Sequence, residues 1–450
     1  MMESVAQLVG AREVAVIGLG KSGSAASRLL RAFGLAVYAS DSATRPGVEA
    51  TAAALRALAV EVDIGGHDLD RIRRAALVIL SPGVPPTAPP VVAAREAGIP
   101  VWAEVELGLR ALAGRVPYIA VTGTNGKTTT TNLVAHLLAT AKRRVRAAGN
   151  IGTPVCEVAL GGPLPEVLAL ELSSFQLHDL PSIAPTVGVL TNLAPDHLDR
   201  YPSLQDYYRD KLKMFAHATS ASYWVTNADN AASEEIQMRG RRRRFSVVGE
   251  AEGWFDRDAN QLRIGAVGVV DRSQFPLLGD HNVANALAAA LAVHSLGVPT
   301  DVIGQGLRTA VPLRHRMEPV AEVAGVLWIN DSKATNLSST EVAVAAMDRP
   351  FVLLLGGRHK GEPYSRLADH LRRCRAVVAY GEARPLIVKD LGTEANVVGV
   401  AGFAEAMATA ATFARPGDAV LLSPACSSYD EFANYEERGN RFRAIVEEAG

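Results

Sequence analysis

The stretch Val116–Ala141, VPYIAVTGTNGKTTTTNLVAHLLATA, decides the fold. Val116–Val121 is a run of β-forming residues, Gly123–Thr128 is a glycine loop, and Thr129–Ala141 has the composition of a helix. A strand that feeds a helix through such a loop leaves backbone N–H groups at the helix start, where a phosphate can bind. Gly123 and Gly126 let those amides approach phosphate oxygens, Lys127 offsets phosphate charge, and the Thr128 hydroxyl can reach Mg²⁺. Thr124, Asn125 and Thr129 complete the expected ATP-binding loop. Position 121 is valine, so the loop is shorter than the common G-x-x-x-x-G-K-[ST] form.

The same pattern of a short Val/Ile-rich strand followed by an alanine-rich helix recurs on both sides, starting at Glu13–Gly18 (EVAVIG) and at Phe351–Gly357 (FVLLLGG). Alternation of this kind implies parallel sheets covered by helices, an α/β class. Three series predict three domains, with boundaries at the Gly/Pro punctuation near residues 112 and 312: 1–112, 113–312 and 313–450. The Pro-rich segment Ser81–Pro90 follows a strand and reads as a loop at its C-terminal end. The basic run Arg239–Arg244 reads as a solvated loop with no nucleic-acid role. A net charge of -1 supplies no general attraction to nucleic acid or anionic membrane. Three scattered cysteines argue against a disulfide framework. The start of the chain lacks a signal-peptide pattern and no apolar run reaches membrane-spanning length, so the expectation is a cytoplasmic monomer without membrane insertion.

Near the start, Gly18-Leu-Gly20-Lys-Ser-Gly23 follows a strand, and Asp41 ends the next one. Taken alone, this pair suggests NAD and a dehydrogenase, but such a loop can hold the diphosphate of any nucleotide, a UDP-sugar included. A dehydrogenase leaves TGTNGKTTT unexplained. A non-catalytic nucleotide sensor would not need Glu171, His197, Lys333 and Lys360 all present.

GLGKSG, SPG at Ser81–Gly83, TGTNGKTTT, GNIG at Gly149–Gly152, ELSSFQL at Glu171–Leu177 and DHLDRY at Asp196–Tyr201 occur in the order seen in the Mur ligases, and the chain resembles that family. GDHNVANALAA from Gly279, RHRME at Arg314–Glu318, NDSKATN at Asn330–Asn336, LLLGGRHKG ending at Gly361 and LLSPACSSYDEFANYEERGNRF from Leu421 resemble its D-glutamate-adding branch. The resemblance implies Rossmann-like N-terminal and C-terminal domains flanking a central P-loop-type ATP-binding domain. The first domain would bind a UDP-sugar, and the last would bind the incoming amino acid and close over the substrates. The implied enzyme is an ATP-dependent ligase joining D-glutamate to UDP-N-acetylmuramoyl-L-alanine through an acyl phosphate, in the peptidoglycan synthesis on which cell shape and division depend.

By the same resemblance Gly20, Lys21, Ser22, Asp41, Gly83 and Asn150 belong to the UDP-sugar site, while the role of Arg45 stays open. Lys127, Glu171, His197 and Lys211 are the expected catalytic residues. Mg²⁺ would be held by Thr128, Glu171, His197 and a carbamylated Lys211, with Lys213 as the other candidate for that lysine. Asn282, Arg316, Asp331 and Lys333 are implied for ATP, although Asn282 could equally be a helix cap. Thr335, Lys360, Ser428 and the backbone near Tyr435 are implied for D-glutamate. Cys426 reads as a small buried residue rather than a nucleophile.

Overall fold

Strands joined by helical crossovers lie parallel, because the crossover returns the chain to the same end of the sheet. The computed structural model describes residues 2–196 and 200–449 and contains three sheets, each the centre of one α/β domain. The first is β1 (Val14–Ile17), β2 (Val37–Asp41), β3 (Glu61–Ile64), β4 (Leu77–Leu80) and β5 (Val101–Ala103), all parallel, in the order β3-β2-β1-β4-β5. The connections change direction between β1 and β4, which places a crevice beyond the C-terminal ends of those two strands.

The second sheet contains β6 (Tyr118–Thr122), β7 (Val145–Gly149), β8 (Val167–Glu171), β9 (Val187–Leu190), β10 (Tyr223–Asn227), β11 (Arg241–Ser246), β12 (Gly253–Asp256), β13 (Gln261–Ile264) and β14 (Val267–Asp271). Its order is β14-β13-β12-β11-β10-β9-β6-β8-β7. The strands β6 to β12 are parallel, whereas β13 and β14 add an antiparallel end joined by tight turns. The third sheet, β15 (Glu318–Val323), β16 (Val326–Asn330), β17 (Phe351–Gly356), β18 (Cys374–Tyr380), β19 (Val397–Gly399) and β20 (Ala419–Leu422), runs β15-β16-β20-β17-β18-β19, with only β15 antiparallel. Its strands β17 and β20 are buried along their whole length. By packing, the chain divides into two compact units: Met1–Arg272 with Ala284–Leu307, holding the first two sheets, and Ser273–Val283 with Arg308–Gly450, holding the third.

Two sequence expectations change here. The basic run is not a loop: Arg241–Ser246 forms β11, between β10 and β12. Arg239, Arg241 and Arg244 stay exposed, while Arg242 and Arg243 are absorbed locally. Arg242 bonds the Thr226 hydroxyl (2.8 Å) and pairs with Glu234, and Arg243 reaches His294 (2.9 Å) and Ser295 (3.2 Å) at the C-terminal end of helix Asp280–His294. Guanidinium groups suit the negative end of a helix, while their stems pack as apolar surface. Asn282 lies inside the first turn of that helix rather than capping it, and its side-chain amide donates to the Leu278 carbonyl (2.7 Å). Among the described residues no helix is long and apolar enough to cross a membrane.

The first two domains meet where helix Glu104–Leu112 packs on helix Val155–Leu160. Glu104 is buried there. One carboxylate oxygen accepts the Cys156 N–H (2.6 Å) and the other has no hydrogen-bond partner. Burial pushes its pKa up to about 7 from 4.5. The folded state therefore keeps a proton that the unfolded chain releases, and stability falls as pH rises from about 4.5 to about 7. Glu104→Gln, which keeps the acceptor, is expected to flatten that fall. Urea unfolding between pH 4.5 and 8 measures it, and a pH dependence like that of the parent chain would show that Glu104 does not cause it.

Candidate active site

The switch-point loop of the first domain follows β1. Gly20 precedes helix Lys21–Ala32, so Lys21 and Ser22 sit in its first turn, at the positive end of the helix dipole. A Cβ at Gly23 would lie 1.8 Å from the Gly18 carbonyl oxygen, so only glycine lets the helix approach the strand end so closely. Ser81, after β4, donates its hydroxyl to the same carbonyl (2.9 Å) and ties the SPG loop to it. The exposed Gly83 lies in that loop. Both Asp41 oxygens accept backbone N–H groups, from Leu19 (2.7 Å) and Ala43 (2.9 Å), so this carboxylate braces the glycine loop. Arg45 stands at the start of helix Pro46–Arg56.

In the second domain β6 ends at Thr122, and helix Lys127–Thr140 begins after Gly126. Gly126 has φ +81°, and a Cβ there would lie 2.2 Å from the Asn285 side-chain oxygen. The loop is braced from the end of β9: Asn192 accepts the Asn125 N–H (3.0 Å), and Thr191 donates to the Asn125 carbonyl (2.6 Å). Thr124 exchanges hydrogen bonds with the backbone of Ala194 (both 3.0 Å) and accepts one from Tyr207 (3.3 Å). Lys127 folds back so that its ammonium donates to the carbonyls of Gly123 (2.9 Å) and Thr124 (2.7 Å). Thr128 and Thr129 lie in the first turn of the helix.

Lys211 comes to the same loop from helix Leu204–Leu212, and its amine donates to the Gly123 carbonyl (2.7 Å). It is 1% exposed and lies against the Tyr207 ring. Burial, and then the neighbouring Lys127 cation, hold its pKa well below the usual lysine value, against the pull of Asp196, Asp210 and Glu171. Lys213, the other candidate, points elsewhere and pairs with Asp210 (2.9 Å).

Glu171 ends β8, beside β6, and is buried. One of its oxygens accepts the Asn150 amide (2.7 Å), and the other is buried with no hydrogen-bond partner. Asn150 is thus brought to Glu171, a pairing the sequence reading did not foresee. His197 lies outside the described residues. Among the described residues no cluster of three or more His, Cys, Asp or Glu side chains forms a metal cage. One unpartnered buried carboxylate oxygen is what a hard cation needs when substrate phosphates and water supply its other ligands, so the residues present fit Mg²⁺.

In the second unit β16, β20 and β17 are adjacent and parallel, and the loops after their C-terminal ends carry the expected residues. Asp331 comes directly after β16 and is buried, with oxygens accepting from the Met317 N–H (3.1 Å) and the Ser423 hydroxyl (2.8 Å); burial raises its pKa to about 7. Lys333 stacks on the Tyr435 ring, 3.9 Å from its centre. Arg316 and Thr335 are partly exposed on neighbouring loops. The exposed Lys360 lies beyond β17, and the buried Ser428 beyond β20. The Tyr435 carbonyl accepts the Ser332 hydroxyl (2.8 Å). Cys426 is buried, and its pKa is pushed up to about 11 by burial, which leaves little thiolate to act as a nucleophile.

Sequence reading missed Arg438. It is fully buried and donates to the Ser332 hydroxyl (2.9 Å) and carbonyl (2.9 Å) and to the Cys426 carbonyl (3.1 Å), tying two of these loops together. It also missed Thr191, Asn192 and Tyr207. Their only sequence signal is position at the end of a strand, or on a helix, whose neighbours in the sheet were unknown.

A glycine cradle between strand and helix, braced from the adjacent strand and faced by a buried lysine, defines a phosphate-loop α/β protein. Comparison with known proteins narrows that class. Residues 12–103 match the model described as the MurD-like N-terminal domain of Mur ligases, 121–293 the Mur ligase middle domain, and 315–426 the Mur ligase glutamate ligase domain. The chain belongs to the Mur ligase family. It is 41% identical to UDP-N-acetylmuramoylalanine--D-glutamate ligase of Anaeromyxobacter dehalogenans, covering 98% of each chain. It is 39% identical to the protein of that name from Pelotomaculum thermopropionicum, covering 97% of each. Among solved structures, UDP-N-acetylmuramate-alanine ligase MurC from Thermotoga maritima shares the fold at TM-score 0.62 and 19% identity, covering 98% of this chain and 100% of that one. A pseudomurein peptide ligase type C from Methanothermus fervidus does so at 0.61 and 20%, with the same coverage.

Proposed function

We propose that this chain is the ATP-dependent ligase that joins D-glutamate to UDP-N-acetylmuramoyl-L-alanine, forming ADP, in peptidoglycan precursor synthesis. The observation that carries the reading is full-length identity of about two residues in five to ligases of that name, in a chain that keeps the phosphate loop, Lys211 and Glu171 together.

Amide formation from a carboxylate needs activation. The γ-phosphoryl group of ATP passes to the L-alanyl carboxylate, giving an acyl phosphate and ADP. The D-glutamate amine then attacks the carbonyl carbon, phosphate leaves, and the amine loses a proton. In this reading residues 1–112 bind the UDP-sugar through Gly20, Lys21, Ser22, Asp41, Gly83 and, from the next domain, Asn150. Residues 113–312 cradle ATP on Gly123–Thr129, with Asn282 at the adenine. Lys127, now on loop carbonyls, would turn to the phosphates. Arg316, Asp331 and Lys333 serve the ribose and phosphates, and residues 313–450 hold D-glutamate through Lys360, Thr335, Ser428 and the backbone near Tyr435. Thr128, Glu171, His197 and a carbamylated Lys211 would hold Mg²⁺, which offsets the charge gathered when three anionic reactants meet. The enzyme works as a cytoplasmic monomer.

Phosphate release from ATP with UDP-N-acetylmuramoyl-L-alanine, offered D-glutamate, L-glutamate, L-alanine, L-lysine or meso-diaminopimelate separately, tests this. Release is expected with D-glutamate alone. Release with a different amino acid instead would overturn the substrate, and none with any of them would overturn the reaction.

A further inference from the structure

In the proposed ligase the two carboxylates of D-glutamate fall to Lys360 and Ser428, which stand on different loops, and the role inferred for Tyr364 rests on that reading. Gly357–Gly361 leaves β17, and Ser423–Ser428 leaves β20. A short bridge joins them: Arg358 N–H donates to the Ser427 carbonyl (2.8 Å), and the Ser427 hydroxyl donates to the Arg358 carbonyl (3.3 Å). The bridge holds the backbones but does not reach His359, the residue just before Lys360.

Tyr364 does. Its ring is 2% exposed in the core beneath both loops, and its hydroxyl lies 3.0 Å from His359 Nδ1 and 2.9 Å from Cys426 Sγ. One hydroxyl has a proton and two lone pairs, so it can serve both partners at once. Its own backbone is fixed as well, because the Tyr364 N–H donates to Asp390 (2.9 Å) in helix Arg384–Leu391. The phenol therefore spans from the neighbour of Lys360 to a residue two positions before Ser428.

We propose that Tyr364 is a positioning residue for the amino-acid substrate, its hydroxyl setting the separation of Lys360 and Ser428 through His359 and Cys426. A substrate gripped at both ends is sensitive to that separation, since a small misplacement costs binding even when every contacting group is present. In the same reading ATP and the UDP-substrate are assigned to other residues, outside this span.

Tyr364→Phe removes the hydroxyl and keeps the buried ring. In the full-length enzyme it is expected to raise KM for D-glutamate about fivefold, the worth of roughly one net hydrogen bond. The expected kcat stays within about twofold, with KM for ATP and for the UDP-substrate unchanged. Cys426→Ala removes one partner and should act in the same direction more weakly. The double variant should fall short of the product of the two effects, because both act through one hydroxyl. An unchanged KM for D-glutamate in Tyr364→Phe, or a parallel rise for all three substrates with a lowered Tm, would overturn the positioning role. Should Tyr364→Phe fail to fold, an unchanged KM in Cys426→Ala would overturn it. Parent protein without D-glutamate-dependent turnover would instead overturn the functional reading on which the inference stands.

Discussion

Lys211→Ala is expected to lose about a hundredfold in D-glutamate-dependent phosphate release, and added acetate or propionate to restore part of it. The side chain is 1% exposed, against the Gly123 carbonyl and close to Lys127. Two ammonium groups so placed repel, and burial adds to the cost of charging the second. A neutral amine relieves both and is the form that can react with CO₂: its nitrogen bonds the carbon, and one proton leaves. A carbamate on Lys211 would carry the opposite charge beside Lys127 and would supply two oxygens able to assist Mg²⁺. Truncation to alanine leaves a cavity with room for a small carboxylate. Lys211→Met fills that space, so it should lose as much activity and recover none. Rescue of both variants alike, or of neither, would count against the carbamate. Bicarbonate-free buffer should lower the activity of the parent enzyme reversibly, whereas Lys213→Ala, which removes a partly exposed ammonium from the buried Asp210 but leaves that carboxylate its bond to His178 (2.8 Å), should keep most of it.

Where sequence signals are local, they could be read directly. The strand, loop and helix around Gly123–Thr128 follow from residues within about a dozen positions, and so does the switch-point loop at Gly18–Gly23. The α/β class followed from the same local repeat. Lys211 and Lys213 were harder to separate, since both belong to one polar helical stretch in the sequence and only the face turned to the phosphate loop distinguishes them. The Arg239–Arg244 run misled for a related reason. Charge usually marks solvent, and Arg241 and Arg244 do stay exposed, but β11 places Arg242 and Arg243 on Thr226, Glu234 and the end of helix Asp280–His294, partners distant in sequence or unrecognisable before the strand is placed. The antiparallel end at β13 and β14 was invisible to a reading built on helical crossovers. Asn192 and Tyr207 carry no motif of their own, and Arg438 stands inside the stretch from Leu421 with nothing to mark its part; all three act by joining loops that only the sheet order brings together.

Glu171→Gln carries the second large expectation: about a hundredfold less turnover at ordinary Mg²⁺, partly recovered as Mg²⁺ is raised, with no loss of thermal stability. The substitution isolates charge from shape. Glutamine can still accept the Asn150 amide through its one oxygen, so the hydrogen bond of 2.7 Å can survive. What changes is the second oxygen, now buried without a partner, which becomes an amide nitrogen with two protons facing the same space. An anionic acceptor without a donor is costly unless something positive comes to it, so a purely structural Glu171 would gain stability from neutralisation and lose no activity. A role in holding Mg²⁺ predicts the opposite balance, stability kept or improved and turnover lost. Two curves separate the cases. If the Mg²⁺ dependence of phosphate release in Glu171→Gln superimposes on that of the parent enzyme, the carboxylate does not hold the cation. If half-activation moves to higher Mg²⁺ while KM for D-glutamate stays in place, the orphaned oxygen at the end of β8 is where the cation binds.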